Sequence, residues 1–99
     1  MYVRIARFEG ADNESWDERI GEIRARTASL IGAEDGPPIT RAMMLVDREH
    51  GRGAAVTFCA TEADLHKVNE FMNTTSPPGG SGTRASVELF EVAVDSDQL

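Results

Sequence analysis

The sequence predicts an α+β domain of the ferredoxin-like, split βαββαβ type, in which a four-stranded antiparallel sheet carries two helices on one face. Four segments are rich in β-branched, aromatic and other apolar residues, as strands are. Two other segments repeat their apolar residues every three or four positions, which is typical of helices. The six segments follow in the order strand, helix, strand, strand, helix, strand. Because such crossovers are right-handed, both helices are expected on the same face of the sheet.

The first strand is predicted at residues 2–8 and the first helix at about residues 14–31. Asp12 or Asn13 can cap this helix, and Gly32 is suited to end it. Its apolar stripe consists of Trp16, Ile20, Ile23, Thr27, Leu30 and Ile31. The other faces of the helix are expected to carry Arg19, Glu22, Arg24 and Arg26.

The other three strands are predicted at residues 39–47, 54–60 and 83–94. A glycine-containing segment at residues 48–53 joins the first two of these as a hairpin. A loop rich in proline and glycine at residues 74–82 precedes the last strand.

The second helix is predicted to follow the third strand directly. Thr61 and Asp64 have the spacing of a capping box, in which a hydroxyl and a carboxylate satisfy the first N–H groups of a helix. From there the helix is expected to run to about residue 73 and to bury Leu65, Val68 and Met72.

Length and composition indicate one globular domain covering residues 1–99, with 40% hydrophobic and 27% charged residues. The net charge of −7 and the scattered basic residues exclude a basic stripe for nucleic acid or for an anionic membrane surface. No segment approaches the ~20 apolar residues of a membrane span. Since the single cysteine, Cys59, cannot form an intrachain disulfide, we expect a cytoplasmic protein.

Both faces of the predicted sheet are largely apolar, although two helices can cover only one of them. On the second strand, for example, Met43 and Leu45 share one face, while Met44 and Val46 share the other. A homodimer that packs two sheets face to face would cover the second apolar face and shield the last strand at the sheet edge. The alternative is a monomer in which that face lines a ligand cavity.

Four segments carry a family resemblance: Tyr2–Gly10 (YVRIARFEG), Met43–Gly53 (MMLVDREHGRG), Thr61–Leu65 (TEADL) and Val87–Val92 (VELFEV). Together they resemble the antibiotic-biosynthesis-monooxygenase-like (ABM-like) proteins of the dimeric α/β-barrel superfamily. The resemblance spans nearly the whole chain, and it implies a dimeric α/β barrel. Its residues belong to hairpins, caps and strands, so it is specific for fold more than for activity.

The resemblance implies a cofactor-independent monooxygenase, or a related enzyme, that acts on a planar phenolic or polyketide-like molecule. No cofactor and no metal are expected, because a deprotonated phenol can itself react with O2. Haem-degrading relatives use an Asn on the first strand and a His on the second helix; here the first strand has no Asn, although His66 lies on the second helix. The alternative function is a non-catalytic homodimeric binding or accessory protein of unknown ligand.

His66 is the predicted catalytic residue, as a general base. It follows Leu65 at the border of the apolar stripe and shares a polar flank with Asn69 and Asn73. Asn69 is therefore expected to position the substrate. The alternative is a solvated histidine without a chemical role.

The other predicted substrate contacts are Trp16, Arg41 and Tyr2. Trp16 can stack on a planar ligand or cover one end of the core. Arg4 and Arg41 occupy strand positions where an inward guanidinium is costly unless it is paired. Either arginine could bind an anionic or enolate ligand, or form an ion pair with one of the 17 carboxylates. Tyr2, on the first strand, is similarly open to a ligand contact or a structural role.

Overall fold

A computed structural model describes residues 1–10, 16–74 and 83–99. Asp12 and Asn13, which the sequence predicts as caps, lie outside the described residues, as do residues 75–82 of the predicted loop. The regular elements are β1 (Tyr2–Glu9), α1 (Trp16–Leu30), β2 (Arg41–Asp47), β3 (Arg52–Cys59), α2 (Glu62–Asn73) and β4 (Thr83–Glu91), and a 3-10 turn follows at Ser96–Gln98.

The four strands form one antiparallel sheet in the order β2-β3-β1-β4, so β2 and β4 lie at its edges. The register pairs Tyr2 with Cys59 and Phe8 with Gly53. The side chains of these pairs therefore share a face of the sheet. Helix α2 packs against this face, over β1 and β3, and the indole of Trp16 from α1 approaches Gly53. The predicted split βαββαβ fold is confirmed.

Local signals mark the start of α2 and the end of α1 close to where the sequence predicts them. Thr61 caps α2, and its hydroxyl accepts the backbone N–H of Asp64 at 3.1 Å. Gly32, two residues after the last residue of α1, has a φ of 77°, a left-handed conformation that glycine adopts without steric cost. Strand β4 is shorter than predicted and ends at Glu91.

The core lies between the sheet and the helices. It contains Ile39, Cys59, Leu65 and Val68, with Tyr2, Ile31, Ala42 and Met72 packed around them. Cys59 and Val68 have no exposed surface, so this cluster fixes α2 on the sheet. None of the helices in the described ranges is long and apolar enough to cross a membrane.

One expectation for α1 was wrong. Arg19, predicted on an outer face, is only 2% exposed, and its guanidinium lies over the ring of Trp16 at 4.4 Å from the centroid. The two residues are three positions apart and therefore neighbours on the helix surface. Stacking on an indole compensates part of the cost of removing the charge from water.

The other face of the sheet carries no helix among the described residues, and we call it the open face. Leu45 remains 49% exposed and Phe90 47% exposed on this face. Their apolar neighbours there are Val3, Ile5, Met43, Val56 and Phe58. Large apolar side chains are thus grouped on a face that the described chain leaves open.

Candidate ligand site between α2 and β4

A buried arginine lies under the end of α2. Arg4 is 3% exposed, because alternation along β1 directs it to the helix-facing side together with Tyr2 and Ala6. Its Nε donates to Asn69 Oδ1 at 3.0 Å, and its Nη2 donates to Asn73 Oδ1 at 3.3 Å. Asn69 and Asn73 are four residues apart, so one flank of α2 supplies both acceptors.

A second arginine meets the same amide. Arg84, near the start of β4, donates from Nη1 to Asn73 Oδ1 at 3.0 Å. The pairing of β1 with β4 shifts between Arg7 and Phe8, and Arg84 is then the partner of Phe8. Since Phe8 and Arg4 lie on the same face, the shift brings Arg84 to the helix-facing side. Two cations from distant parts of the chain therefore share one neutral oxygen.

The charges of this pair are not balanced by carboxylates within the described chain. Neither Arg4 nor Arg84 forms an ion pair there, whereas other arginines do: Arg7 with Glu88 at 2.8 Å, Arg48 with Asp17 at 2.9 Å and Arg52 with Asp47 at 2.7 Å. Burial lowers the pKa of the Arg4 guanidinium, and the charge of Arg84 lowers that pKa further. Of the two alternatives that the sequence leaves open for Arg4, the ion pair with a carboxylate is not formed among the described residues, and Arg4 has amide partners from α2 instead.

An apolar strip of β4 lies beside the arginines. In register, Val87 is the partner of Ala6 and Leu89 is the partner of Arg4, so both point toward the helix layer. Helix α2 packs over β1 and β3, and Leu89 keeps 37% of its surface exposed. We call Val87 and Leu89 the β4 shelf. The shelf therefore offers accessible apolar surface next to the guanidinium groups of Arg4 and Arg84.

Two of the predicted site residues lie close to this shelf. Asn69 is half-buried and bonded to Arg4. Tyr2 is half-buried against the core and stands two positions before Arg4 on the same face of β1. Helical spacing puts His66 on the same flank of α2 as Asn73, about 10 Å away along the axis. The imidazole of His66 is exposed, with Nε2 at 3.8 Å from Glu62 Oε1.

The structure does not bring Trp16 and Arg41 to the shelf. Trp16 is 2% exposed and lies near Gly53, where β3 begins. Arg41 is exposed on the open face, with its guanidinium 5.9 Å from the centroid of the Phe58 ring. The five predicted residues therefore do not form one constellation.

A second polar cluster occupies the β2–β3 hairpin. The carboxylate of Asp47 accepts from Arg52 at 2.7 Å and lies 3.0 Å from Nδ1 of His50. These partners, Arg52 first, lower the pKa of Asp47 to about 2. Asp47 ends β2, Arg52 begins β3 and His50 lies in the turn between them, so the cluster holds the hairpin closed. Among the described residues, no group of three or more His, Cys, Asp or Glu side chains could hold a metal.

Sequence reasoning missed the role of Arg84 and treated Asn73 only as a neighbour of His66. The sequence did contain one indication of this contact. A buried Arg4 is costly unless another element supplies hydrogen-bond acceptors for its guanidinium. The acceptor could not be identified from spacing, because Asn73 and Arg4 are separated by 69 residues.

No protein-family model and no curated protein matches the chain. Two solved structures of MhuD match its fold, both with a TM-score of 0.59. One is a substituted form with two manganese protoporphyrin IX bound per active site, 21% identical over 96% of this chain and 97% of that chain. The other, from Mycobacterium tuberculosis, is described as a heme-degrader with two hemes bound, 19% identical over 96% and 98%. At this identity the likeness shows the fold.

Proposed function

We propose that this protein binds a planar, partly apolar small molecule on the β4 shelf, beneath the polar flank of α2. The observation that carries the proposal is the buried guanidinium of Arg4 next to accessible apolar surface at Leu89. A polar group in such a position is costly for folding alone, and it supplies orientation when a ligand occupies the neighbouring surface. Asn69 holds the Arg4 side chain in place by accepting a hydrogen bond from its Nε, and Tyr2 packs against the core beside it.

The proposed form of the protein is a homodimer joined through the open face. Leu45 and Phe90 are about half exposed on that face, and the second copy would remove them from water. The shelf lies on the opposite side of the sheet, so face-to-face packing leaves it accessible.

Cofactor-independent monooxygenation is the chemistry proposed for a bound phenol. His66 would take the phenolic proton, and the phenolate would transfer one electron to O2. Recombination at the ring carbon para to the oxygen would form a hydroperoxide, and loss of water with cleavage of its O–O bond would leave the quinone. O2 is then the oxidant, and its second oxygen atom leaves as water, so no metal or flavin is required. His66 and Asn73 stand about 10 Å apart along α2, the length of a small bicyclic aromatic molecule. The exposed imidazole can exchange its proton with water.

One of the MhuD structures holds hemes and the other holds manganese protoporphyrin IX. Among the described residues of this chain, neither histidine is placed as a buried ligand for such a group. His50 lies on the β2–β3 hairpin beside Asp47, and His66 is exposed beside Glu62. Both histidine side chains are exposed, and β1 contains no asparagine. We therefore assign no step of the proposed chemistry to haem.

The test is a thermal-shift and oxygen-uptake screen of the full chain with phenols, polyketide-like aromatics and haem. A phenolic ligand at a hundredfold excess over its dissociation constant stabilises the folded state by about 2.7 kcal/mol. We expect such a shift, with O2 consumption that His66→Ala abolishes and that His50→Ala, the matched histidine control, leaves unchanged. Binding without O2 consumption would support the non-catalytic alternative, and binding of haem alone would refute the proposal.

A further inference from the structure

We propose that Arg4 and Arg84 bind the carboxylate of a planar acid whose apolar body lies on the β4 shelf. The inference rests on the proposed function and adds the charge of the ligand to it. It starts from an unusual arrangement, in which two guanidinium groups converge on the single acceptor Asn73 Oδ1, at 3.3 Å from Arg4 Nη2 and 3.0 Å from Arg84 Nη1.

The first argument is the local charge balance. The whole chain has a net charge of −7, yet no carboxylate of the described residues pairs with either arginine. Two like charges in a partly buried setting repel each other, and an amide oxygen compensates this only in part. An anion placed between them would relieve the repulsion, which gives a bound acid a favourable interaction that a neutral molecule lacks.

The second argument is the supply of hydrogen-bond donors. A guanidinium carries five N–H donors in one plane. Asn69 and Asn73 engage Arg4 from the α2 side, and Asn73 engages only Nη1 of Arg84. Arg84 is exposed, so its remaining donors are open to a ligand. A carboxylate offers two oxygens that accept parallel N–H donors from such a fork.

The third argument is the shape of the surroundings. Leu89 is the direct cross-strand partner of Arg4, and Val87 is the partner of Ala6. Cross-strand neighbours on one face lie about 5 Å apart, so an aromatic ring attached to a carboxylate can cover the shelf while its charge meets the arginines. Phosphate would meet the same charges but would leave this apolar surface in water. The arrangement therefore favours an aromatic or other planar carboxylic acid.

Matched pairs of acid and amide test the inference: benzoate with benzamide, and 1-naphthoate with 1-naphthamide. Their affinities are measured on the full chain by NMR titration. We expect the acid of each pair to bind about tenfold more tightly or better than its amide, since hydrogen bonds to charged groups are the stronger ones. The preference should fall as NaCl is raised from about 50 mM to about 500 mM.

Arg84→Gln is the informative variant, because the Arg84 side chain is exposed and its loss does not open the core. It should bind the amides as the wild type does and should lose the preference for acids. The matched control is Arg48→Gln, which replaces an exposed arginine after β2 that is paired with Asp17, and it should retain the preference.

Three different negative results of these titrations can be told apart. Equal affinity of the wild type for acids and amides would overturn the carboxylate site and leave the proposed aromatic binding intact. Loss of the preference in Arg48→Gln as well would mean that net charge, and not this pair, selects the acid. Absence of binding by all four compounds would refute both proposals.

Discussion

Replacement of Phe90 by alanine is expected to weaken the proposed homodimer by roughly two orders of magnitude. Phe90 is 47% exposed on the open face. Complete burial of such a side chain contributes up to about 3 kcal/mol, so about 1.4 kcal/mol is still to be gained per protomer when a second sheet covers it. A symmetric interface contains two copies, and the loss of about 2.8 kcal/mol raises the dissociation constant roughly 100-fold.

Sedimentation velocity over a range of protein concentrations measures this effect directly. The matched control is Phe71→Ala, which removes the same side chain from the surface of α2, where Phe71 is 37% exposed. It lies in the helix layer and should leave the dissociation constant unchanged. A wild-type protein that stays monomeric at every concentration, or an equal effect of the two variants, would refute the face-to-face dimer.

Three further predictions concern single residues. Thr61→Ala removes the acceptor for the Asp64 N–H and should lower the free energy of unfolding in urea by about 1 kcal/mol, whereas Thr61→Ser should not. Because Arg52 and His50 lower the pKa of Asp47 to about 2 from 3.8, the stability that this carboxylate contributes is present above its unfolded-state pKa and is lost on acidification. The difference in unfolding free energy between the wild type and Asp47→Asn should therefore shrink from about pH 4 to about pH 2. The Cys59 thiol is fully buried and its pKa is raised, so a thiol reagent should modify it only as fast as the protein unfolds; modification at the rate of a free thiol would contradict that burial.

The order of elements, the N-cap of α2 and the glycine after α1 could be predicted from the sequence because their signals are local. The capping contact of Thr61 spans three residues, and the left-handed turn at Gly32 depends on that residue alone. Alternation along the strands also predicted two apolar faces. The partition of Leu45 and Met44 between the faces follows directly from the period of two.

The burial of Arg19 shows where local patterning failed. A charge next to an apolar stripe was expected in water, since isolated guanidinium groups are rarely buried. The neighbouring indole of Trp16 changes this balance, because the flat cation stacks on the ring at 4.4 Å. The spacing of three residues was visible in the sequence, but whether both side chains would be buried depends on how α1 meets the sheet.

The candidate site could be predicted only in part, for a geometric reason. Alternation back from Phe90 would place Ser86 and Arg84 together on the open face. In the structure the ladder skips Ala85: Ser86 is the partner of Arg7, and Arg84 is the partner of Phe8. This irregularity turns Arg84 to the helix-facing side, where it meets Asn73. Bulges commonly re-aim a side chain next to a functional site, and here one extra residue creates the arginine pair on which ligand selection is proposed to depend.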